Sequence, residues 1–398
     1  MSDEKDIYSQ LGVSSKKEDV HKAIKSLDQG LFPGSFCKIV SDIGKRDDWC
    51  SVFHSDGAGT KSSLAYMYFK ETGDISVFKG IVRDAIVMNI DDMLCVGATG
   101  NFFISNNIGR NSRYISGEII NTIIKEYYNY SKKLSELGLS SLMCGGETAD
   151  VGDIVKTLLV DASVFSSMKR KDVINASKIK NGDVIIGLAS DGKASYEDDF
   201  NSGIGSNGLT LARHGLLSHI YYDKYPECYD RNLDEQLIFF GNYQLTDTIK
   251  GLNMNVGKAL LSPTRTYAPL LLEVLKQYSE EIHGIIHNTG GGQTKILNYG
   301  KRIAYLKNNL FKIPKIFEMI QNSSETQWKE MYQVFNMGHR MEICCNEAIA
   351  KDINMIAKKF NIESKIIGQC EKTLSKKNNQ LEIKSEFGSF NYEQKNMS

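Results

Sequence analysis

The chain has 398 residues, 48 Lys plus Arg against 48 Asp plus Glu, and 41% hydrophobic residues. At about 150 residues per domain that length points to two or three domains, and the balanced charge leaves no global field to gather nucleic acid or an anionic membrane surface. The composition is that of a globular protein with a sizeable core, not of a disordered chain. The eight cysteines include no CxxC and the seven histidines no HExxH, which argues against a zinc hydrolase. No apolar run approaches the ~20 residues needed to span a bilayer. Nothing resembling a secretory segment precedes the cysteines, so the expected location is a reducing cytoplasm.

Residues 1–50 read as a polar, glycine-punctuated arm, with a short amphipathic stretch at Val20–Leu27 and a flexible segment from Gly30 to Phe36. The N-terminal domain follows at 51–168. Its pattern is a strand (Ser51–Ser55), a loop (Asp56–Thr60), helices over Lys61–Phe69 and Val82–Val96, and one long helix over 115–137. That last helix rests on Ile115, Ile119, Ile123 and Tyr127 at i+4 spacing and closes at Gly138. Leu139–Cys144 reads as a strand entering a turn at Gly145-Gly146, and Val155–Phe165 alternates as another.

A charged connection, Lys169–Asp183, leads to a second domain at 178–372. Here the pattern gives a strand (Val184–Ser190), a helix (Asn207–Leu217), and a helix over Thr264–Tyr278 started by Ser262-Pro263. Strands at Ile282–His287 and Met341–Cys345 and a helix at Asn346–Phe360 follow, while 191–206 and 220–255 read as insertions and 373–398 as a frayed polar tail. The fold class expected from this alternation is α/β, or α+β, in two domains.

Chemistry gathers at strand ends. In His54-Ser-Asp-Gly-Ala-Gly-Thr-Lys61 two glycines let backbone N–H groups approach a phosphate, with Lys61 as an added cation; a plain strand-to-helix turn is the competing reading. It is not a Walker A loop, since Thr60 and Ser55 stand where that motif needs Gly. The stretch Asp84 to Val96 is apolar nearly all round if helical, so Asp84, Asp91 and Asp92 are costly unless paired. With Asp56 they could form an all-oxygen Mg²⁺ site, or they could cap neighbouring loops. Cys144-Gly-Gly-Glu147-Thr-Ala-Asp150 and His287-Asn-Thr-Gly-Gly-Gly292 repeat the device of a glycine turn after a strand. Gly203-Ile-Gly-Ser-Asn-Gly208 matches GxGxxG literally, but no buried strand precedes it, so the dinucleotide reading fails its structural condition.

In this order, Asp56-Gly-Ala-Gly-Thr-Lys61, the Asp84 to Ala98 stretch, Gly145-Gly-Glu-Thr-Ala149, Ser206-Asn-Gly208, Pro263-Thr-Arg265, Thr289-Gly-Gly-Gly292 and Phe335-Asn-Met-Gly338 resemble the aminoimidazole ribonucleotide synthetases, also called phosphoribosylformylglycinamidine cyclo-ligases. Even Tyr8 and Gly12-Val13 resemble that family's opening segment, so the likeness covers residues 8–370. The resemblance implies two α/β domains and a homodimer whose N-terminal-domain strands close an intersubunit barrel, with ATP near that interface. It implies a cytoplasmic ligase of purine biosynthesis that turns formylglycinamidine ribonucleotide plus ATP into aminoimidazole ribonucleotide, ADP and phosphate, with neither nucleic acid nor membrane as partner.

By motif match the resemblance makes Asp56, Lys61 and Asp92 the catalytic candidates, with Asp56 and Asp92 as Mg²⁺ ligands. ATP would lie against Asp56, Gly57, Gly59, Thr60, Lys61, Asp84, Asp92, Gly145, Gly146, Glu147 and Thr148. Ser206, Asn207, Gly208, Thr289, Gly290, Gly291 and Gly292 would hold the substrate phosphate or the transferring phosphoryl group. The chain departs from the family at Gly205, where a histidine is usual, and at Asp91, where Asn is usual; His54 could substitute for the missing histidine. Competing functions are another member of the same ATP-binding superfamily, such as a selenophosphate synthetase using Cys37-Lys38, or a nucleotide-binding regulator without catalysis.

Overall fold

A computed structural model describes residues 6–14, 23, 26–373, 375 and 378–394. Most of the Val20–Leu27 stretch lies outside these residues. In the N-terminal domain strands β1 (Ile39–Ser41), β2 (Trp49–Gly57), β3 (Phe102–Arg110), β4 (Ser141–Asp150) and β5 (Leu158–Lys169) form one sheet in the order β1-β2-β5-β3-β4. Only β3 and β4 run parallel. Alternation decides its two faces, as period-2 side chains must: along β5 the even residues from Leu158 to Met168 are buried and the odd ones are not.

Against the buried face lies α2 (Val77–Leu94), with α1 (Lys61–Thr72) and α3 (Gly117–Glu136) beside it. All of α2 is buried except Lys79 and Arg83, as expected for a helix apolar nearly all round. The other face of the sheet carries Phe53, Phe165, Phe103 and Leu142 in one cross-strand row, and Phe53, Phe103 and Leu142 are exposed.

The second domain is a seven-stranded sheet of order β14-β13-β10-β12-β6-β11-β9. Its strands are β6 (Val184–Ala189), β9 (Ile282–His287), β10 (Ile303–Lys307), β11 (His339–Cys345), β12 (Ser364–Lys372), β13 (Gln380–Ser385) and β14 (Gly388–Glu393). The two-residue strands β7 (Asp191–Gly192) and β8 (Asn201–Ser202) pair separately within the expected insertion. Helices α4 (Leu209–Leu216), α5 (Ala268–Tyr278), α6 (Lys315–Ser324), α7 (Trp328–Val334) and α8 (Ala350–Lys359) complete it. One continuous apolar cluster joins the cores of the two domains.

Three expectations are corrected. Gly145-Gly146 is no chain-reversing turn: β4 continues past both glycines through a bulge, with Gly145 left-handed where the pairing with β3 slips between Ile104 and Asn106, and the Asn106 side chain covers the space a β-carbon at Gly146 would need. Ser262-Pro263 starts no helix either; α5 begins at Ala268 with Pro269 in its first turn, and Ser262–Tyr267 is spent on buried carboxylates described below. Finally, the tail is not frayed over 380–393: β13 and β14 extend the sheet, Leu381 and Ile383 are buried, and Phe387 stacks on Trp328 at 3.7 Å between ring centroids. Ile383→Ala should therefore cost about 2–5 kcal/mol in urea unfolding, whereas a frayed tail would leave the midpoint unchanged.

Candidate functional site

The C-terminal half of α2 meets the end of β9 at the junction of the domains, and Asp92 is its centre. His287 Nδ1 donates to Asp92 Oδ1 at 2.7 Å, and His54 Nε2 lies 3.4 Å from Oδ2. Burial works against the Asp92 charge, yet the Lys295 ammonium and the His287 hydrogen bond outweigh it and hold the carboxyl below the usual carboxylate range. Asp56, on the same face of β2 as His54, is pushed up by burial and by the Asp92 charge. Burial takes His287 down to about 4 against the pull of Asp92, so it is neutral at pH 7, with Nε2 buried and unpartnered.

Asn89 fixes the His54 tautomer. Its Nδ2 donates to the carbonyls of Asp56, Ala85 and Ala162, which leaves Oδ1 as the acceptor for His54 Nδ1–H at 2.9 Å. The His54 proton-accepting nitrogen is thus Nε2, beside Asp92.

Asp84 and Asp91 do not join this group. Asp84 Oδ1 accepts from the Thr264 N–H and hydroxyl, both at 2.6 Å, and from Lys61 Nζ at 3.0 Å. Asp91 accepts from the Thr266 hydroxyl at 2.7 Å and the Tyr267 N–H at 2.9 Å. Spacings of seven and eight residues would keep the three on one face only approximately, since 3.6 residues per turn separates positions 91 and 92 by ~100°. Two carboxylates therefore cap the Ser262–Tyr267 segment and one enters the cleft.

Lys61 likewise turns inward. Fully buried, its ammonium is engaged by Asp84, the Gly205 carbonyl at 3.1 Å and the Ser262 carbonyl at 2.6 Å, so all three donors are spent inside the protein. Burial lowers its pKa while Asp84 opposes the shift. Lys61 and Asp84 thus tie the two domains together.

The glycine segments divide in the same way. Gly57 must lack a side chain because the Asp161 carboxylate lies where a β-carbon would be, while Gly59 is left-handed with open space around it. The Thr60 hydroxyl is 3.4 Å from that of Thr210 in α4. Ser206 Oγ is 2.8 Å from Thr264 Oγ1, Asn207 Oδ1 is buried without a partner, and Gly208 leads into α4 in a left-handed conformation. Thr289, whose hydroxyl accepts from Lys295 Nζ at 2.5 Å, begins the turn containing left-handed Gly291 and Gly292 after exposed Gly290.

The structure thus gathers Asp56, Asp92, 205–208 and 289–292 around the interdomain junction. Glu147 and Thr148 lie exposed on edge strand β4 with Gly145 and Gly146, three strand positions or about 14 Å from β2.

Residues that sequence reasoning left without a role complete the cleft. Phe36, from the N-terminal arm, stacks on Tyr299, and Lys295 Nζ lies 4.5 Å over its ring. Cys37 is buried with Sγ donating to the Asp92 carbonyl, and burial pushes its thiol well up, so it is no ready nucleophile. Beneath the glycine turn Glu342 accepts from Asn288, Lys307 and His339, and Lys307 donates to Gln293. The sequence signal for this layer is charge inside an apolar run, as in Met337-Gly-His-Arg-Met-Glu-Ile343.

Both domains match known family models: the N-terminal domain of AIR synthase related proteins over 37–167 and their C-terminal domain over 180–377. The fold and its interdomain cleft are therefore those of an AIR synthase related protein. Among curated proteins the chain is similar to the phosphoribosylformylglycinamidine cyclo-ligase of Methanocaldococcus jannaschii, 29% identical over 383 residues and covering 94% of this chain and 95% of that one. A cyclo-ligase of Methanococcus maripaludis is 30% identical over 376 residues, 92% of each chain. The chain belongs to the phosphoribosylformylglycinamidine cyclo-ligase family. Of solved structures, PurLQS and phosphoribosylformylglycinamidine synthase II from Thermotoga maritima share the fold at a TM-score of 0.51, with 13% and 12% identity over 95% and 98% of this chain. The chain spans about half of each, 48% and 50%.

Removing Lys61 should expose the tether. Lys61→Met leaves Asp84 without its cation and should cost about 3–5 kcal/mol in chemical unfolding; an unaltered midpoint with a raised KM for ATP would restore Lys61 to the nucleotide site. Burial raises the Asp91 carboxyl to about 7, above its value in the unfolded chain. The native state then holds the extra proton between about pH 4 and pH 7, so Asp91's contribution to stability falls as pH rises through that window. The stability of Asp91→Asn relative to wild type should accordingly improve from pH 4 to pH 7 in paired melts.

Proposed function

We propose that the protein closes formylglycinamidine ribonucleotide to aminoimidazole ribonucleotide with ATP, releasing ADP and phosphate, as a step of purine biosynthesis. The observation that carries this reading is the Asp56–Asp92 pair facing His54, His287 and the Thr289–Gly292 turn across the domain junction. The formyl amide oxygen attacks the γ-phosphorus and ADP departs. The amidine nitrogen then attacks the activated carbon, the C–O bond breaks with loss of phosphate, and a proton leaves the new ring. His54 Nε2, presented by Asn89 and stabilised once protonated by Asp92, is the group that takes that proton.

Asp56 and Asp92 suit a Mg²⁺ ion: each carboxylate raises the cost of the other's charge, and a hard dication relieves it. Among the described residues no three His, Cys, Asp or Glu side chains form a metal cage by themselves, in keeping with an ion completed by phosphate oxygens and water. Such an ion neutralises triphosphate charge. The residues around it align the reactants and exclude water, and Phe36 and Cys37 of the arm close one side.

A homodimer is part of the same reading. The row Phe53, Phe165, Phe103 and Leu142 is an apolar sheet face that no described residue of the chain covers, and an exposed contiguous apolar face marks an interaction surface. Sedimentation at micromolar concentration should give twice the 44.6 kDa of the chain, and a stable monomer would remove this element.

The main test is ADP release with formylglycinamidine ribonucleotide, compared with selenide and thiamine phosphate. Asp92→Asn should lower turnover on the order of 100-fold at saturating Mg²⁺ without unfolding the protein. Tight ATP binding by wild type with no aminoimidazole ribonucleotide formed would overturn the assignment in favour of a non-catalytic regulator.

A further inference from the structure

Pairing of β11 with β6 slips between His339 and Met341, and the residue at the slip is Arg340. Bulges re-aim side chains. Here a guanidinium is delivered into the interior, 2% exposed, beside the ends of β6 and β9 where the domains meet. Its bonding is incomplete. Nη2 donates to the Arg265 carbonyl at 2.7 Å, Nε is buried with no partner, and among the described residues no ion pair engages it. The carboxylate that senses its charge is Asp91, whose oxygens are already taken by Thr266 and Tyr267.

Arg265 shows what a structural arginine looks like in this protein. It pairs with both oxygens of Glu197, at 3.0 and 2.6 Å, and gives Nη1 to the carbonyls of Ala189 and Asp191. Two arginines lie side by side, one neutralised and one not. An unpaired buried cation costs several kcal/mol unless an anion arrives to meet it.

The surroundings of Arg340 suit an anion. Gly205 is left-handed, and a β-carbon there would collide with Nη1, so the Gly205–Gly208 loop keeps the guanidinium's flank clear. The Asn288 N–H donates to the Arg340 carbonyl at 2.7 Å, which fixes the start of the Thr289–Gly292 turn against the same residue. In this turn the Gly292 N–H closes onto the Thr289 carbonyl at 2.9 Å, while the N–H groups of Gly290 and Gly291 have no partner among the described residues and are left to meet an anion. Lys61 holds the loop at the Gly205 carbonyl and Thr264 holds it at the Ser206 hydroxyl.

We propose that Arg340 anchors a phosphate-binding subsite between the Gly205–Gly208 loop and the Thr289–Gly292 turn. The ligand is a phosphate dianion, borne either by the ribonucleotide at its 5′ position or by ATP as the transferring group. The planar fork of Arg340 supplies the charge and direction, and the glycine turn supplies backbone donors. The choice of these two phosphates rests on the function proposed above; the anion site itself rests on the unpaired guanidinium.

The test uses the full chain as wild type, Arg340→Gln and Arg340→Lys, with inorganic phosphate and ribose 5-phosphate as probes. Phosphate should raise the melting temperature of wild type, not of Arg340→Gln, and partly of Arg340→Lys. In kinetics Arg340→Gln should raise one KM by roughly 10-fold or more: that of formylglycinamidine ribonucleotide if the 5′-phosphate is held, that of ATP if the transferring group is. Arg340-dependent phosphate binding in a wild type that never turns over would keep the subsite and remove the proposed reaction. If Arg340→Gln does not fold, Arg340→Lys carries the comparison, since it keeps the charge and loses the fork. A folded variant that binds phosphate as wild type does, with both KM values unchanged, overturns the proposal.

Discussion

Three carboxylates on one buried helix govern the arrangement of this protein. Burying a charge is tolerated only where hydrogen bonds and counter-charges replace water, and among the described residues its own domain offers α2 only Lys61 for Asp84 and His54 for Asp92, too little for three carboxylates. The other partners come from the second domain: Thr264, Thr266 and Tyr267 for the first two, His287 for the third. Lys61 adds a cation from the first domain while holding two carbonyls of the second. The domains therefore dock by satisfying α2, and the apolar core closes around that polar seam.

That constraint explains why Ser262–Tyr267 is not helical despite its Ser-Pro opening. In a helix the N–H groups of Thr264 and Tyr267 would be directed along the axis, beyond the reach of two separate carboxylates a helical turn or two apart on α2. The segment gives up local helix propensity for tertiary hydrogen bonds, a trade that propensity scales do not see. Arg265 lies in the same segment and points the other way, where Glu197 neutralises it.

Local pattern made much of the fold legible. The strand at Ile282–His287 runs as its apolar run and glycine boundary suggest, and the long helix is found at Gly117–Glu136 with Ser116 as its cap. What stayed hidden depends on long-range partners. Gly145-Gly146 reads as a turn until β3 supplies a neighbour whose pairing slips there, with Gly145 forming the bulge and Gly146 packed against Asn106. The polar tail looks unfoldable alone, because among its described residues the buried apolar ones are just Leu381, Ile383 and Tyr392, and each needs a surface contributed by residues many positions earlier. In the cleft, Asp56 and Asp92 were legible as costly acids, but the inward partners of Lys61 were not, because a lysine after a glycine loop carries no mark of where its ammonium ends.

The same seam sets what the cleft can do. Asp84 and Asp91 are consumed in docking, so the acid that α2 leaves to the cleft is Asp92, which meets Asp56 of the sheet and is balanced by Lys295, His287 and His54. Docking also decides geometry, since His287 reaches Asp92 only when β9 is seated against α2. Activity and domain association thus share one helix: α2 presents two acids to hold the domains and, one residue further on, a third acid to the reaction. A shift of α2 large enough to open the cleft would have to break the Asp91 contacts adjacent to Asp92.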